Sequence, residues 1–202
     1  MKRTVIGLVG SLCSGKGEVV KHLKLLGFTG ISLSDIVREE ADSRGIPRIR
    51  ENLQNIGDDL RITYGGQVLA ERAAERLADN RGNIVIDAIR NPAEIEFLRE
   101  TFDIKIFAVD APIDLRYRWY MQRAVDRGED SLDPTVFFAD NSRDLGIDQP
   151  ENGQHVKRCL EMADVTLMNE GSKKHLFEEL EYHLILDCGF SPEGARRAQE
   201  KK

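Results

Sequence analysis

The sequence predicts an α/β fold in which a doubly wound sheet of five parallel strands carries helices on both faces. Three observations support this prediction. Short apolar runs typical of buried strands alternate with longer segments that carry apolar residues at helical spacing. The first run ends at a glycine-rich loop followed by a helix, and the third ends at an aspartate. The predicted strands are 5–9, 30–33, 84–86, 104–109 and 165–168.

Length and composition favour one soluble domain. The chain has 202 residues, which suits a single domain over residues 1–190 with a polar tail over residues 191–202. Hydrophobic residues make up 41% of the chain and charged residues 32%, as is ordinary for a globular protein. No apolar run approaches the roughly 18 residues that a membrane span needs, so we expect no membrane partner.

Net charge and cysteine content further limit the classes of protein to which the chain could belong. The net charge of −6 argues against a general nucleic-acid surface. Cys13, Cys159 and Cys188 are an odd number of cysteines without metal-ligand spacing, which fits reduced thiols. The first apolar run leads directly into the glycine-rich loop, so we do not expect it to be a removable signal peptide. These features together predict a cytoplasmic protein.

The glycine-rich loop has the Walker A spacing of Gly10, four residues, Gly15 and Lys16. Small residues let successive backbone N–H groups turn inward around a polyphosphate, while the lysine and the start of the next helix add positive charge. We therefore expect the loop to bind the phosphates of a nucleotide. The expected cofactor-binding residues of the loop are Gly10, Ser11, Cys13, Ser14, Gly15, Lys16, Gly17 and Glu18.

The position after the loop lysine is Gly17, where the Walker A pattern has a serine or threonine that binds Mg²⁺ directly. Direct ligation of the metal by the loop is therefore not expected. Asp87 follows the buried run 84–86, at the strand end where parallel sheets bind ligands, and we expect it to hold Mg²⁺ through water. Glu18 is a second candidate for this role. The alternative interpretation of Asp87 is a helix or turn cap.

Two helices carry polar stripes. Arg50, Gln54, Asp58 and Arg61 share one face of the helix predicted over residues 50–64, a face that either lines a cleft or is solvated. On the helix predicted over residues 113–127, the positive stripe consists of Arg116, Tyr120, Arg123 and Arg127. Guanidinium groups suit the anionic oxygens of a phosphoryl group in transfer.

Several segments resemble the nucleoside monophosphate kinase group of P-loop kinases, which includes adenylate kinase, deoxynucleoside monophosphate kinase and dephospho-CoA kinase. Residues 32–38, SLSDIVR, are similar to the STGDLLR segment of adenylate kinase, and residues 87–90, DAIR, are similar to its DGFPR segment. Residues 50–61 are similar to the RxxLQxxG run of the deoxynucleotide kinases. The match covers nearly the whole chain, with dephospho-CoA-kinase-like proteins as the most similar subgroup.

The resemblance implies the P-loop NTPase fold with two inserted lobes, an acceptor-binding lobe at about residues 35–66 and a lid at about residues 124–150. It implies that Asn169 lies beside the adenine of ATP, and that Arg38 and Arg90 hold the phosphate of the acceptor. The expected acceptor-binding residues are Asp35, Arg38, Arg50, Gln54, Arg61 and Arg90. The expected catalytic residues are Lys16, Asp35, Arg116, Arg123 and Arg143.

The function that the resemblance implies is transfer of the γ-phosphoryl group of ATP to a nucleoside or deoxynucleoside monophosphate. An acceptor phosphate is already ionised, so no general base is needed. One alternative is transfer to the ribose hydroxyl of dephospho-CoA, for which Asp35 would be the base. Another is a nucleotide-binding regulator without turnover. In each case the expected partners are small-molecule nucleotides.

Overall fold

The computed structural model describes residues 3–127 and 131–199. Residues 128–130 of the predicted lid and residues 200–202 of the predicted tail lie outside the described residues, and so does the side chain of Arg127. Within the described ranges, no helix combines the length and apolar character needed to cross a membrane.

Strands and helices alternate along the chain. The strands are β1 (Val5–Gly10), β2 (Thr29–Ser32), β3 (Ile84–Asp87), β4 (Ile104–Asp110) and β5 (Val165–Met168). The helices of the described residues are α1 (Lys16–Leu25), α2 (Leu33–Ser43), α3 (Arg50–Tyr64), α4 (Val68–Arg76), α5 (Pro92–Thr101), α6 (Ile113–Arg127), α7 (Pro134–Leu145), α8 (Val156–Glu161), α9 (Lys173–Cys188) and α10 (Pro192–Gln199).

The strands form one parallel sheet in the order β2-β3-β1-β4-β5, which confirms the predicted five-stranded α/β fold. Strand β1 lies at the centre, and all six of its residues are buried. Its neighbours are β3 and β4, both paired with it in parallel. The carboxyl ends of these three strands therefore meet at one edge, where parallel sheets bind their ligands.

The two faces of the sheet have separate cores because successive side chains of a strand point to opposite faces. Val5 and Val9 of β1 belong to the core that includes residues of α2, α3, α4 and α5. Ile6 and Leu8 belong to the opposite core, which includes residues of α1 and α9. A third, smaller cluster of Leu12, Tyr120 and Phe137 joins the glycine-rich loop to α6 and α7.

Three features differ from the sequence-based prediction. Strand β2 ends one residue early because Leu33, which is almost fully buried, already begins α2. Helix α8 was not predicted. The predicted polar tail is polar in composition, but residues 192–199 form α10. The Ser191 hydroxyl accepts from the N–H of Gly194, Pro192 starts the helix, and Arg196 forms an ion pair with Glu181 of α9.

Helix α1 offers a matched test of this packing, since Leu23 is fully buried and Leu25 is 69% exposed. Leu23→Ala should lower the free energy of unfolding by about 2–5 kcal/mol because it leaves a cavity in the core. Leu25→Ala, the control on the same helix, should change it by less than about 1 kcal/mol. Urea unfolding of both variants checks this, and equal losses would contradict the described face of α1.

Candidate active site

The loop between β1 and α1 folds tightly upon itself. The N–H of Ser14 donates to the carbonyl of Ser11 at 3.1 Å, and the N–H of Glu18 donates to the carbonyl of Gly15 at 2.9 Å. Gly15 has φ +100°, and a Cβ at this position would lie 2.3 Å from Nδ2 of Asn169. Only glycine fits here, both for its backbone conformation and for the close approach of Asn169.

Lys16 lies at the start of α1 and folds back over the loop. Its Nζ donates to the carbonyl oxygens of Gly10 at 2.6 Å and of Ser11 at 3.1 Å. Burial lowers the pKa of Lys16 to about 8, although the negative charge of Asp87 acts in the opposite direction. A buried ammonium group that is this costly to charge is well placed to be stabilised by an anion.

Two buried oxygen atoms at this edge of the sheet have no hydrogen-bond partner among the described residues. They are Oγ of Ser14 in the loop and Oδ1 of Asp87 at the end of β3. Burial raises the pKa of the Asp87 carboxyl, against the effect of the Lys16 charge. A carboxylate oxygen and a hydroxyl beside a lysine fit a nucleotide with its Mg²⁺ ion.

Asp87 offers a single carboxylate to a metal ion. Within the part of the chain that the structure describes, no three His, Cys, Asp or Glu residues form a metal-binding cluster. Glu18, the other sequence candidate, is 2.9 Å from Lys21 and 2.8 Å from Lys173, whose hydrogen bond lowers the pKa of this carboxyl. Of these two sequence candidates, Asp87 is the one with a buried carboxylate oxygen that has no partner among the described residues.

Asn169 and Arg116 hold the loop from outside. Nδ2 of Asn169 donates to the carbonyl of Ser14 at 3.0 Å. The Arg116 guanidinium is buried and donates to the carbonyls of Ala111 and Leu12, at 3.0 and 3.3 Å, and to Oδ1 of Asn141 at 2.6 Å. Both side chains therefore bind protein groups that fix the loop. Asn169 was expected beside the adenine of ATP and Arg116 among the catalytic residues, and these two roles stay predictions.

A cavity opens beside the loop and encloses about 640 Å³, its mouth included. Five arginines line it, from α2, α3, α6 and the segment after β3: Arg38, Arg50, Arg61, Arg90 and Arg123. Gln54, Ala88 and Gln154 also line it, together with aliphatic side chains. Among the described residues that line it, none is acidic. Three residues of the polar stripe on α3 thus line this cavity: Arg50, Gln54 and Arg61.

Carboxylates stand behind the cavity wall and hold its arginines. Arg61 lies 3.1 Å from the fully buried Glu94 and 3.3 Å from Asp58. Arg50 lies 3.3 Å from Asp140 and 3.7 Å from Asp144, both on α7. Because buried guanidinium groups held by carboxylates keep their positions, the wall presents positive charge in a fixed arrangement.

Two other residues proposed from the sequence lie outside this cavity lining. Asp35 has a 64% exposed side chain that accepts from Nη1 of Arg38 at 3.0 Å. Arg143 donates from Nη2 to Asn55 and Asp58 of α3, at 2.8 Å each, so it links α7 to α3. Arg123, one of the expected catalytic residues, lines the cavity, with its guanidinium 5.8 Å from the centre of the Tyr120 ring.

Asp144 and Gln154 were not predicted from the sequence. Asp144 is buried and accepts from Nε2 of Gln54 at 3.0 Å, and its spacing from Asp140 on one helix was the available signal. Gln154 stands in an irregular segment, where no periodic pattern indicates which side chains face inward.

The chain matches the AAA domain family over residues 9–135. It is 31% identical over 183 residues to a UPF0200 protein of Pyrococcus abyssi, an alignment that covers 88% of this chain and 93% of that protein. A UPF0200/UPF0201 protein of Archaeoglobus fulgidus is 29% identical over 190 residues, which cover 92% of this chain. The chain spans about half of that relative, 56% of its length.

Solved structures share the fold. A putative kinase from Chloroflexus aurantiacus matches with a TM-score of 0.58 at 16% identity, covering 91% of this chain and 100% of that one. Shikimate kinase from Bacteroides thetaiotaomicron matches with a TM-score of 0.53 at 14% identity, covering 91% and 97%. At these identities the likeness shows the fold alone, and that fold is P-loop kinase-like.

The lowered pKa of Lys16 predicts a pH-dependent stability. Between about pH 8 and the ordinary lysine value of 10.5, the unfolded chain keeps a proton that the folded chain has released. The free energy of unfolding contributed by this residue therefore rises with pH across that window. Relative to Lys16→Met, the wild type should gain about 3 kcal/mol between pH 7 and pH 10.5.

Chemical denaturation of both proteins at several pH values measures this gain. Lys21→Met, which removes an exposed lysine from the same helix, is the control for the substitution itself. A constant difference between wild type and Lys16→Met across the window would show that the Lys16 amine is not desolvated as described.

Proposed function

This chain belongs to the AAA domain family and to the UPF0200 family, and we propose that it is an ATP-dependent phosphotransferase whose acceptor is a nucleoside or deoxynucleoside monophosphate. The observation that carries the proposal is the arginine-lined cavity beside the phosphate loop. Ala88 and Arg90 of its wall lie one and three residues after Asp87, and the charges of Asp87 and Arg90 both act on Lys16. The cavity and the loop therefore form one continuous electrostatic environment.

The composition of the cavity wall fits a phosphate-bearing acceptor. Five guanidinium groups offer planar, permanently charged donors, which bind phosphate oxygens through charge-assisted hydrogen bonds. A phosphate oxygen is already ionised when it attacks, so the absence of acidic side chains among the described lining residues is no obstacle to transfer. Positioning and charge neutralisation are then sufficient for catalysis.

The donor side would use the loop. Backbone N–H groups of the loop and Lys16 would bind the phosphates of ATP, while Asn169 and Arg116 keep the loop in shape. Mg²⁺, when bound with the nucleotide, supplies additional neutralisation of phosphate charge, and Asp87 is the residue that would hold it. Arg123 lies on the cavity wall and would neutralise charge between the two substrates.

Transfer to a hydroxyl, as in dephospho-CoA-kinase-like proteins, would need a general base. Asp35 was the sequence candidate, but its exposed carboxylate accepts from Arg38 and does not line the cavity. This arrangement favours an acceptor that needs no base. The missing loop hydroxyl at Gly17 would favour a regulator without turnover. A side chain would nevertheless fit at this position, since a Cβ there meets nothing within 4 Å.

A coupled assay of ADP release tests the proposal. With ATP and Mg²⁺, a panel of ribo- and deoxynucleoside monophosphates should include at least one that raises turnover at least about tenfold above ATP alone, whereas dephospho-CoA should not. Lys16→Ala should lower that turnover by a factor of hundreds because its charge counts most in the transition state. Release with dephospho-CoA alone would favour the hydroxyl acceptor, and none with any acceptor would favour the regulator.

The two arginines matched to monophosphate-binding positions give a sharper test. Arg38→Met and Arg90→Met should each lower kcat/KM for the acceptor by about ten- to a hundredfold, because each removes charge-assisted hydrogen bonds to one phosphate. Binding of ATP should change by less than about twofold. Arg76→Met, which removes an exposed arginine paired with Glu39, is the control and should leave both quantities unchanged. Equal losses in ATP binding and in kcat/KM for the acceptor would indicate that the arginines bind the donor ATP.

A further inference from the structure

The cavity wall contains a buried carboxamide whose hydrogen-bonding capacity is unused. Gln154 lines the cavity and is only 2% exposed. Its Oε1 atom is buried and has no hydrogen-bond partner among the residues that the structure describes. Burying an amide oxygen without a partner is unfavourable, so a ligand that donates a hydrogen bond here would be favoured.

The backbone on either side of Gln154 is held in place. The N–H of His155 donates to the carbonyl of Arg90 at 2.7 Å. Nδ2 of Asn91 donates to the carbonyl of Gly153 at 2.9 Å. The segment that carries Gln154 is therefore attached to the turn that carries Arg90. A guanidinium and a carboxamide are thus presented to the same cavity at a fixed separation, which is the preorganisation that specific recognition requires.

A second carboxamide, that of Gln54, belongs to the part of the wall that helix α3 contributes. Nε2 of Gln54 donates to the buried Asp144 at 3.0 Å, which fixes the orientation of this amide. Aliphatic side chains complete the lining, among them Leu33, Val37 and Leu53. The cavity therefore combines guanidinium groups, amide groups and an apolar surface, which together match an anion joined to a flat heterocycle with polar edges.

We propose that Gln154 recognises the base of the acceptor, and that the cavity takes a phosphate ester whose other end is a hydrogen-bonding heterocycle. A carboxamide has both an acceptor and donors, so it can pair with an amino or a carbonyl edge of a base. A sugar phosphate without a base lacks the amino or ring N–H group that would donate to this buried oxygen. The inference rests on the proposed function for the identity of the acceptor cavity, but it does not require that a phosphoryl group is transferred.

Calorimetric binding in the absence of ATP tests the inference. Wild-type protein should bind at least one common nucleoside or deoxynucleoside 5′-monophosphate about tenfold or more tightly than ribose 5-phosphate. Gln154→Met keeps the length of the side chain but removes the amide. It should weaken binding of that nucleotide by about ten- to a hundredfold and change binding of ribose 5-phosphate by less than about twofold.

Gln122→Met is the matched control, since Gln122 is exposed on α6 and outside the cavity lining; it should leave both affinities unchanged. Ribose 5-phosphate binding as tightly as every nucleotide would overturn the inference, and so would an equal loss of both ligands in Gln154→Met. The comparison of ligands on the wild-type protein tests whether the cavity prefers a nucleotide to a sugar phosphate, even if the variant does not fold. Because no ATP is present, a failure of the transfer assay is distinguishable from a failure of this one.

Discussion

The candidate site depends on the parallel register of β1 with β3 and β4. Gly7 pairs with both Ile86 and Ile106, so the three strands run together and end at one edge of the sheet. That edge brings the phosphate loop next to Asp87, although the two are far apart in the chain. The approach is close: a Cβ at Gly10 would lie 2.2 Å from the carbonyl oxygen of Val109. The loop can begin there only because no side chain occupies this position.

The electrostatics of the cavity depend on groups that do not line it. Charges removed from water need partners, and Arg50 and Arg61 of the wall have them in carboxylates on the far side. Asp140 and Asp144 belong to α7, whereas Glu94 belongs to α5 and Asp58 to α3 itself. Helix α7, part of the segment predicted as a lid, therefore supports the cavity wall from behind through Arg50.

Features that depend on residues near one another in the chain could be predicted from the sequence. The hydrogen-bond partners of the side chains could not. Helical spacing placed Arg50 and Arg61 on one face, and that face lines the cavity. The sequence also located Arg116 and Asn169 correctly within their elements. It could not indicate that loop carbonyls would lie within their reach, since this depends on how separate elements pack. Gln154 had no signal at all, because side-chain direction in an irregular segment is set by distant hydrogen bonds such as that between His155 and Arg90.

The positive wall of the cavity has a consequence for handling the protein. Guanidinium groups do not distinguish strongly between a phosphate ester and a free tetrahedral oxyanion, because both present the same charged oxygens. A phosphate ester that bound these guanidinium groups would therefore compete with sulfate or inorganic phosphate from a buffer. High ionic strength will add screening at the open mouth of the cavity. Affinities measured in such buffers will understate those in solutions of chloride or acetate at low concentration.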